Sequence, residues 1–499
     1  MIARSSGLLL HVSSLPSAWG IGDFGPPAVA WIDRLAEAGQ SWWQFLPLSP
    51  PGRGNSPYEP FSTFALNEQF LSPEWLCDDG LLQKSQLPSA ASQGTSQVDY
   101  PAVGRLKDAL LAAAQDNFRR LAPPELRREF EQFCSAQAGW LDDYALFRAL
   151  RIAQADREFH AWPVALMRHD PAAVDEAREQ LIDLVDRFRL GQFLAHRQLR
   201  RLRDHARTRG VGLIGDVPFF VSPDSSDVWA HPELFLLDAE RKAQFVAGVP
   251  PDYFSEQGQL WGDPLYDWEA HRRSGYEWWL ARIGTLLSLV DIVRLDHFRA
   301  FAAAWHVPAD ATTAIDGEWR PGPGADFFLA VKARFGSLPL IVEDLGMITP
   351  DVGALRDQFD LPGMRVLQFA LDGDPKNPFL PEHYPTNVVA YTATHDNQTT
   401  RAWYGSLSDD SRRRIWDCVG HPIRPSEAAW ELIRLIWESH AMLALAPVQD
   451  LLNLGADARM NWPGRPANNW RWRATAAQLA SPAFEQLREL TKLTGRVKT

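Results

Sequence analysis

The segment IVRLDHF, residues 292–298, has the pattern of a buried strand that ends in a carboxylate, Asp296. A carboxylate at the end of an apolar strand costs free energy unless another group satisfies or uses it. Because successive side chains of a strand point to opposite faces, Arg294 and Asp296 share one face. If that face lines a barrel, the guanidinium favours the ionised form of the carboxylate, although an ordinary ion pair at the rim has the same sequence pattern.

Two later segments repeat this arrangement of an apolar strand followed by an acid. LPLIVEDLG (338–346) contains Glu343, and NVVAYTATHDNQTT (387–400) contains Asp396. Each acid alone is compatible with a simple helix cap, but three acids at matched strand ends predict a single cleft lined by carboxylates. Such a cleft is typical of glycosidic-bond chemistry, in which one carboxylate attacks the sugar and another donates a proton.

The strand pattern recurs along the whole chain. The candidate strands are Gly7–Val12, Trp42–Leu48, Val211–Phe220, Asp291–Phe298, Leu338–Asp344, Met364–Ala370, Val388–Thr394 and Val448–Leu452. The helical patterns between them include Pro26–Ala38, Val103–Phe118, Pro124–Phe133, Trp140–Ile152, Phe193–Arg209 and Ser426–Leu445. This alternation predicts an α/β fold with a parallel sheet, and about eight strands are the number that closes a (β/α)8 TIM barrel.

A barrel of this kind needs about 250 residues, so the remainder of the 499-residue chain must form insertions. We expect one catalytic barrel over residues 1–499, without a C-terminal all-β domain. Residues 50–190 are expected to form a mostly helical insertion over the C-terminal mouth, between the second and third strands. A further insertion, 222–290, contains residues 248–268, an aperiodic segment rich in Pro, Gly and aromatic residues that we interpret as a long ordered active-site loop.

The composition limits the classes of partner. The formal net charge of −12 argues against binding to nucleic acid or to an anionic membrane surface. Three scattered cysteines show no metal-ligand spacing and fit a reducing compartment. No apolar run is long enough to span a bilayer, and Gly7–Leu10 is too short for a signal peptide, so we expect a cytoplasmic protein. The 21 tryptophans fit either core packing or stacking on sugar rings.

The candidate acids converge on one end of the predicted barrel. TIM-barrel active sites lie at the C-terminal ends of the strands, where Asp216, Asp296, Glu343 and Asp396 are all placed. To act as a general acid, Glu343 must be protonated, and apolar neighbours or nearby carboxylates would raise its pKa. Asp396 would then hold sugar hydroxyls and stabilise an oxocarbenium-like transition state. His395 beside it could donate to a hydroxyl, although a lone histidine is more often structural.

Longer motifs extend beyond the acids. They are GNSPYEPFSTFALN (54–67), WLDDYALFRAL (140–150), GLIGDVPFFVSPDSSDVW (212–229), GVPPDYFSEQGQLWGDPLYDW (248–268), VRLDHFRAF (293–301), VEDLG (342–346), PGMRVLQFA (362–370), THDNQTT (394–400) and MNWPGRPANNW (460–470). Together they closely resemble the 4-α-glucanotransferases of glycoside hydrolase family 77, also called amylomaltases or disproportionating enzymes. The resemblance covers nearly the whole chain, and the long motif at 248–268 is highly specific, whereas a short match such as THDN means little alone.

The resemblance implies a role for each residue at a matching position. Asp296 would be the nucleophile, Glu343 the general acid/base and Asp396 the transition-state stabiliser. The supporting and glucan-contacting residues would be Tyr58, Asp216, Tyr253, Gln257, Trp261, Arg294, His395 and Asn469. The family motif GTHDNDT is altered here at Ala393 and Gln398, which leaves the catalytic pair intact but changes the loop that follows it.

The resemblance also implies the reaction. A donor α-1,4-glucan, such as a maltooligosaccharide, amylose or a glycogen-type chain, would form a covalent glucosyl ester on Asp296 with overall retention of configuration. Retention requires the two carboxyls to be about 5–5.5 Å apart. The 4-hydroxyl of a second glucan, or of glucose, would then accept the sugar. No metal or organic cofactor is implied, and neither nucleic acid nor a membrane is an expected partner.

Two alternatives remain open from the sequence. An α-glucan hydrolase of the amylase type uses the same three acids, so these acids cannot distinguish hydrolysis from transfer. The segment 248–268 and the lack of a terminal all-β domain favour transfer. The second alternative is a non-catalytic glucan-binding barrel, which the presence of all three acids argues against because binding needs aromatic residues but no nucleophile.

Overall fold

The computed structural model describes residues 3–87, 95–251, 255–370, 374–465 and 467–497. Its strands in those ranges are β1 Ser5–Leu9, β2 Trp42–Gln44, β3 Gly212–Val217, β4 Phe245–Val249, β5 Gln259–Pro264, β6 Ile292–Leu295, β7 Ala303–Pro308, β8 Glu318–Pro321, β9 Leu340–Val342, β10 Gly363–Val366, β11 Val388–Tyr391 and β12 Leu443–Pro447. Its α-helices there are α1 Pro26–Glu37, α2 Pro73–Asp78, α3 Tyr100–Leu121, α4 Pro124–Ala153, α5 Val164–Met167, α6 Pro171–Gln180, α7 Ile182–Thr208, α8 Ser226–Ala230, α9 Trp268–Arg273, α10 Glu277–Leu287, α11 Arg299–Ala302, α12 Ala325–Phe335, α13 Pro350–Gln358, α14 Thr400–Ser406, α15 Asp409–Val419, α16 Pro425–Glu438, α17 Val448–Leu451, α18 Ala476–Leu479 and α19 Ala483–Leu493.

Parallel strands form a closed barrel in the order β1–β12–β11–β10–β9–β6–β3–β2. Helices connect successive barrel strands, as in α1 between β1 and β2, or α16 between β11 and β12. The (β/α)8 barrel predicted from the sequence is therefore confirmed.

The position predicted for the eighth strand was wrong. Val448–Leu451 is the helix α17, and the strand is β12, five residues earlier. The preceding helix α16 correspondingly ends at Glu438 rather than at Leu445. The sequence LALAP of β12 is rich in helix formers, so it continued the helical pattern. Burial decides its structure, because its leucines lie in the apolar interior of the barrel.

The barrel interior changes from apolar to polar towards the C-terminal ends of its strands. An apolar layer contains Ile214, Ile292 and Ile341, all of them buried. Two residues further along β3 and β6, on the same face, lie Asp216 and Arg294, which are paired in register across the two strands. The inward-facing positions nearest the mouth are therefore occupied by charged side chains, whereas the positions below them are occupied by apolar side chains that pack together.

A four-stranded antiparallel sheet, in the order β5–β4–β7–β8, lies outside the barrel. The aperiodic loop predicted for 248–268 was wrong for its described parts, because β4 and β5 pair there as a hairpin. The register shifts between Val246 and Gly248, and Gly262 opposite this shift has φ +88°. Such a bulge breaks the alternation of side chains, so the strand pattern was not recognisable.

Helices α3–α7 fill most of the chain between β2 and β3. The patterns predicted as separate helices at 124–133 and 140–152 belong to one helix, α4, which packs against α7. Gln192 of α7 accepts a hydrogen bond from the backbone N–H of Leu66 and donates one to its carbonyl. These bonds fix the segment that carries Tyr58.

Among the described residues, no helix combines the length and the apolarity that crossing a bilayer requires.

Candidate active site

A buried ion-pair network lies between β3 and β6 at the mouth of the barrel. Nη1 of Arg294 is 2.8 Å from Oδ1 and 2.9 Å from Oδ2 of Asp216, and 2.9 Å from Oδ1 of Asp296. The side chains of Asp216 and Arg294 are 0% and 5% exposed, whereas that of Asp296 is 27% exposed. Burial lowers the pKa of Arg294, but the two carboxylates outweigh it and hold this pKa well above its usual value. The guanidinium stays charged, and Asp296 is the carboxylate that a substrate can reach.

Glu343 follows β9 and has a different electrostatic environment. Its Oε2 accepts a 2.8 Å hydrogen bond from the backbone N–H of His297, and its Oε1 accepts a 2.7 Å bond from that of Leu345. Burial, followed by the charge of Asp296, raises the pKa of Glu343 to about 8, although Arg294 and the two backbone donors oppose this shift. At neutral pH Glu343 is therefore mostly protonated, next to an Asp296 that is paired with a cation.

The backbone of His297 helps to hold Glu343. His297 has φ +46°, a left-handed conformation that is uncommon for a residue with a side chain. Its ring lies against Trp261, with 4.9 Å between centroids and an edge-to-face angle of 79°. Burial lowers the pKa of His297 to about 4, so the ring is neutral at pH 7. His297 was not predicted from the sequence, although its place directly after Asp296 was an available signal.

Tyr58 joins the ion-pair network to His395. Its hydroxyl donates a 2.8 Å hydrogen bond to Oδ2 of Asp216 and lies 3.4 Å from Nδ1 of His395. The two rings are stacked, with centroids 4.9 Å apart and planes at 16°. Burial and the neighbouring Asp216 raise the pKa of Tyr58 well above its usual value, so the phenol keeps its proton. Trp470 packs beside both rings at 5.8 Å.

Asp396 lies at the rim, with its side chain 48% exposed. Its Oδ1 accepts a 2.7 Å hydrogen bond from Nδ2 of Asn461 and lies 3.4 Å from Nε2 of His395. Nη2 of Arg459 donates a 2.6 Å bond to the backbone carbonyl of Asp396. Asn461 and Arg459 were not predicted from the sequence. The motif at 460–470 was the available signal for Asn461, but nothing in it indicated a contact with Asp396.

Trp261, one of the predicted glucan contacts, lies on β5 with 38% of its surface exposed. Its ring contacts that of His297, which directly follows Asp296 in the chain and whose backbone N–H donates a hydrogen bond to Glu343. Gln257 is exposed in the turn before β5, and no contact among the described residues brings its side chain to the acids. Tyr253 lies outside the described residues.

Asn469 has its polar side-chain atoms engaged within its own loop. Its Oδ1 accepts a 3.0 Å hydrogen bond from the backbone N–H of Trp462, and its Nδ2 donates a 2.7 Å bond to the carbonyl of Arg465. Asn469 therefore holds the loop closed in this structure, with its amide turned to backbone groups of that loop.

The arrangement brings together a carboxylate paired with a cation, a carboxyl that keeps its proton, and a third, half-exposed carboxylate. These are the groups that a displacement at an acetal carbon requires. Within the ranges that the structure describes, no cluster of three His, Cys, Asp or Glu side chains could hold a metal ion.

Comparisons with known proteins find one family along nearly the whole chain. The family model described as 4-alpha-glucanotransferase (Glyco_hydro_77) matches residues 10–478. The 4-alpha-glucanotransferase of Synechocystis sp. is 45% identical over 496 residues, which are 99% of this chain and 98% of that protein. The 4-alpha-glucanotransferase of Thermus thermophilus is 43% identical over 502 residues, which are 99% of this chain and 100% of that protein.

A solved structure gives the same result in three dimensions. The amylomaltase from Streptococcus agalactiae, in complex with acarbose, matches with a TM-score of 0.95 and 33% identity, covering 99% of this chain and 100% of that chain. With a closed barrel, an acidic mouth and full-length relatives that share one activity, the chain belongs to the 4-alpha-glucanotransferase family of glycoside hydrolases.

Proposed function

We propose that this enzyme transfers segments of α-1,4-glucan to the 4-hydroxyl of an acceptor by a retaining double displacement. The observation that carries this proposal is the contrast between Asp296, which lies 2.9 Å from Arg294, and Glu343, whose pKa burial raises to about 8. One carboxylate is held ready to attack, and the neighbouring carboxyl holds the proton that the leaving group needs.

In the first step, an oxygen of Asp296 attacks the anomeric carbon of the donor. The glycosidic bond breaks, and Glu343 gives its proton to the departing oxygen, which leaves a glucosyl ester on Asp296. In the second step, the carboxylate of Glu343 takes the proton from the acceptor hydroxyl. That oxygen attacks the anomeric carbon and the ester bond to Asp296 breaks, so two inversions restore the original configuration.

The remaining groups of the mouth would bind the sugar at the reacting centre. Asp396 is half-exposed, so its carboxylate can accept hydrogen bonds from ring hydroxyls. We assign to it the stabilisation of the positive charge that develops on the sugar ring. His395 and Tyr58 are mutually stacked, and Tyr58 donates a hydrogen bond to Asp216, so the two rings would form a rigid wall for the same sugar.

Trp261 is the basis of our proposal for transfer over hydrolysis. Its exposed indole lies beside His297, whose backbone N–H holds Glu343. A sugar stacked on this indole would lie next to the acid/base, with its hydroxyl aligned and water excluded. We propose that the acceptor glucan, or glucose, binds here, and that maltooligosaccharides, amylose and glycogen-type chains are the donors.

The product profile on maltotriose tests the proposed function. Transfer predicts free glucose together with maltopentaose and longer chains, with little net increase in reducing ends. Glucose and maltose alone, with a steady increase in reducing ends, would instead identify a hydrolase. Binding of maltotriose without any turnover would identify a glucan-binding protein.

A further inference from the structure

Arg459 and Asn461 hold the dipeptide His395–Asp396, which contains the third acid. The backbone N–H of Asn461 donates a 3.1 Å hydrogen bond to the carbonyl of His395. Arg459 donates through Nη2 to the carbonyl of Asp396 and through Nε to that of Asn461, both at 2.6 Å. These bonds fix the backbone of the dipeptide from a part of the chain more than sixty residues away.

The side chain of Asn461 makes a different contact. Its Nδ2 lies 2.7 Å from Oδ1 of Asp396, on a carboxylate that is 48% exposed. A carboxylate with this exposure has several rotamers available unless a donor selects one. Among the described residues, Oδ2 of Asp396 has no hydrogen-bond partner in the protein, so Asn461 holds one oxygen and leaves the other without a protein donor.

Asn461 is itself held in place. The backbone N–H of Trp470 donates a 2.7 Å hydrogen bond to the carbonyl of Met460. The side chain of Asn469 bonds the backbone of Trp462 and of Arg465. The guanidinium of Arg459 stacks on the ring of Trp462, 4.1 Å from its centroid. The amide of Asn461 is therefore presented to Asp396 by a closed loop.

We propose that Asn461 is a positioning residue for Asp396: its amide fixes Oδ1, so that Oδ2 points at the sugar on which charge develops. This inference rests on the proposed function, because the role of Asp396 belongs to it. Preorganisation of this kind acts in the transition state more than in substrate binding, so its loss should lower kcat more than it raises KM.

The variant N461A removes the side-chain donor and keeps the backbone bonds to the dipeptide. We expect kcat for maltotriose disproportionation to fall by about tenfold to a hundredfold, the size of a hydrogen bond to a charged group, with KM changed by less than about threefold. The matched control is N387A. Nδ2 of Asn387 also donates to an aspartate, Asp360, at 2.9 Å, but at the N-terminal end of β11. Its kcat should stay within about twofold of the parent.

The variant N461D adds a readout that a purely structural role would not change. The introduced carboxyl can donate to Asp396 only while it is protonated, and once ionised it repels Asp396. The neighbouring negative charge raises the pKa of the introduced group, so its protonated form persists at mildly acidic pH. We expect the kcat of N461D to exceed that of N461A at low pH and to fall below it as the pH rises.

A kcat for N461A close to that of N387A, or a loss in KM alone, would overturn the inference. So would a ratio of N461D to N461A that does not change with pH. Should N461A melt well below the parent, the pH dependence of N461D relative to the parent decides instead: recovery towards low pH supports positioning, and a flat ratio contradicts it. A parent enzyme that does not disproportionate maltotriose, or a D396N variant with full activity, would contradict the proposed function rather than this inference.

Discussion

Oδ1 of Asp296, the residue that directly follows β6, lies 2.9 Å from Nη1 of Arg294, which is two residues earlier in that strand. The same nitrogen also bonds both oxygens of the fully buried Asp216. The cation that faces the exposed carboxylate is thus anchored by a second carboxylate below it. We therefore expect catalysis and stability to depend on the same guanidinium, and substitutions can separate the two.

Arg294→Met should abolish turnover and also destabilise the fold. It leaves Asp216 buried without its counter-charge, which typically costs about 3–5 kcal/mol. The double variant R294M/D216N removes both buried charges and should recover most of the lost stability without recovering activity. Urea unfolding and maltotriose turnover measure the two effects. A double variant as unstable as R294M, or either variant with near-parent activity, would refute this division of roles.

Asp296→Asn should lower turnover by at least about 10³-fold, equivalent to about 4 kcal/mol of barrier, because the attacking group is lost. The amide is nearly isosteric, so the melting temperature and the affinity for maltotriose should change little. Calorimetry and quenching of tryptophan fluorescence by the glucan provide these controls. Activity within tenfold of the parent would rule out Asp296 as the nucleophile.

Glu343→Gln should slow the cleavage of natural glucans by about 10²–10⁴-fold, the usual size of general acid–base catalysis. The donor α-maltosyl fluoride needs little protonation of its leaving group, so release of fluoride in the first turnover should be retained. Comparing the two donors by stopped-flow and product analysis measures the difference. An equal loss on both donors would contradict a proton-donor role.

The pH dependence follows from the raised pKa of Glu343, which burial sets at about 8. Since the free enzyme must carry this proton to cleave a glucan, kcat/KM for maltotriose should be maintained below that pKa and should fall as the pH rises through it. The fall should be absent for ester formation from α-maltosyl fluoride. If both donors lose activity along the same alkaline limb, another group controls it.

Trp261→Ala tests the acceptor surface. We expect the ratio of free reducing ends to elongated product to rise, because a weakly held acceptor competes less well with water. Added glucose should rescue transfer less than in the parent. The control is W305A, which removes a tryptophan of the same antiparallel sheet that packs with Val246 and Val307. Equal loss of transfer and hydrolysis, or an earlier melt with unchanged products, would make Trp261 structural.

The barrel and the position of its acids were predictable because both depend on local sequence. An acid after an apolar strand marks the mouth wherever the strand lies, so Asp296, Glu343 and Asp396 could be placed without any knowledge of contacts. The position predicted for the eighth strand was five residues too late because its LALAP sequence favours a helix. Only burial in the barrel overrides this preference.

Contacts over long sequence separations could not be predicted. Asn461 bonds Asp396 across 65 residues, and Tyr58 bonds Asp216 across 158. No periodicity encodes such pairs. The left-handed backbone of His297 is also determined by its surroundings, because residue type alone disfavours it there. Sequence therefore indicates the acids, whereas tertiary packing determines which groups hold them.

The covalent ester on Asp296 is tested most directly by mass spectrometry of the E343Q variant after brief exposure to α-maltosyl fluoride. We predict an intact mass increased by one maltosyl residue, with the adduct in the peptide that contains Asp296, and no adduct in E343Q/D296N. Consumption of the fluoride without any adduct, or an adduct that persists in E343Q/D296N, would contradict a double displacement through Asp296.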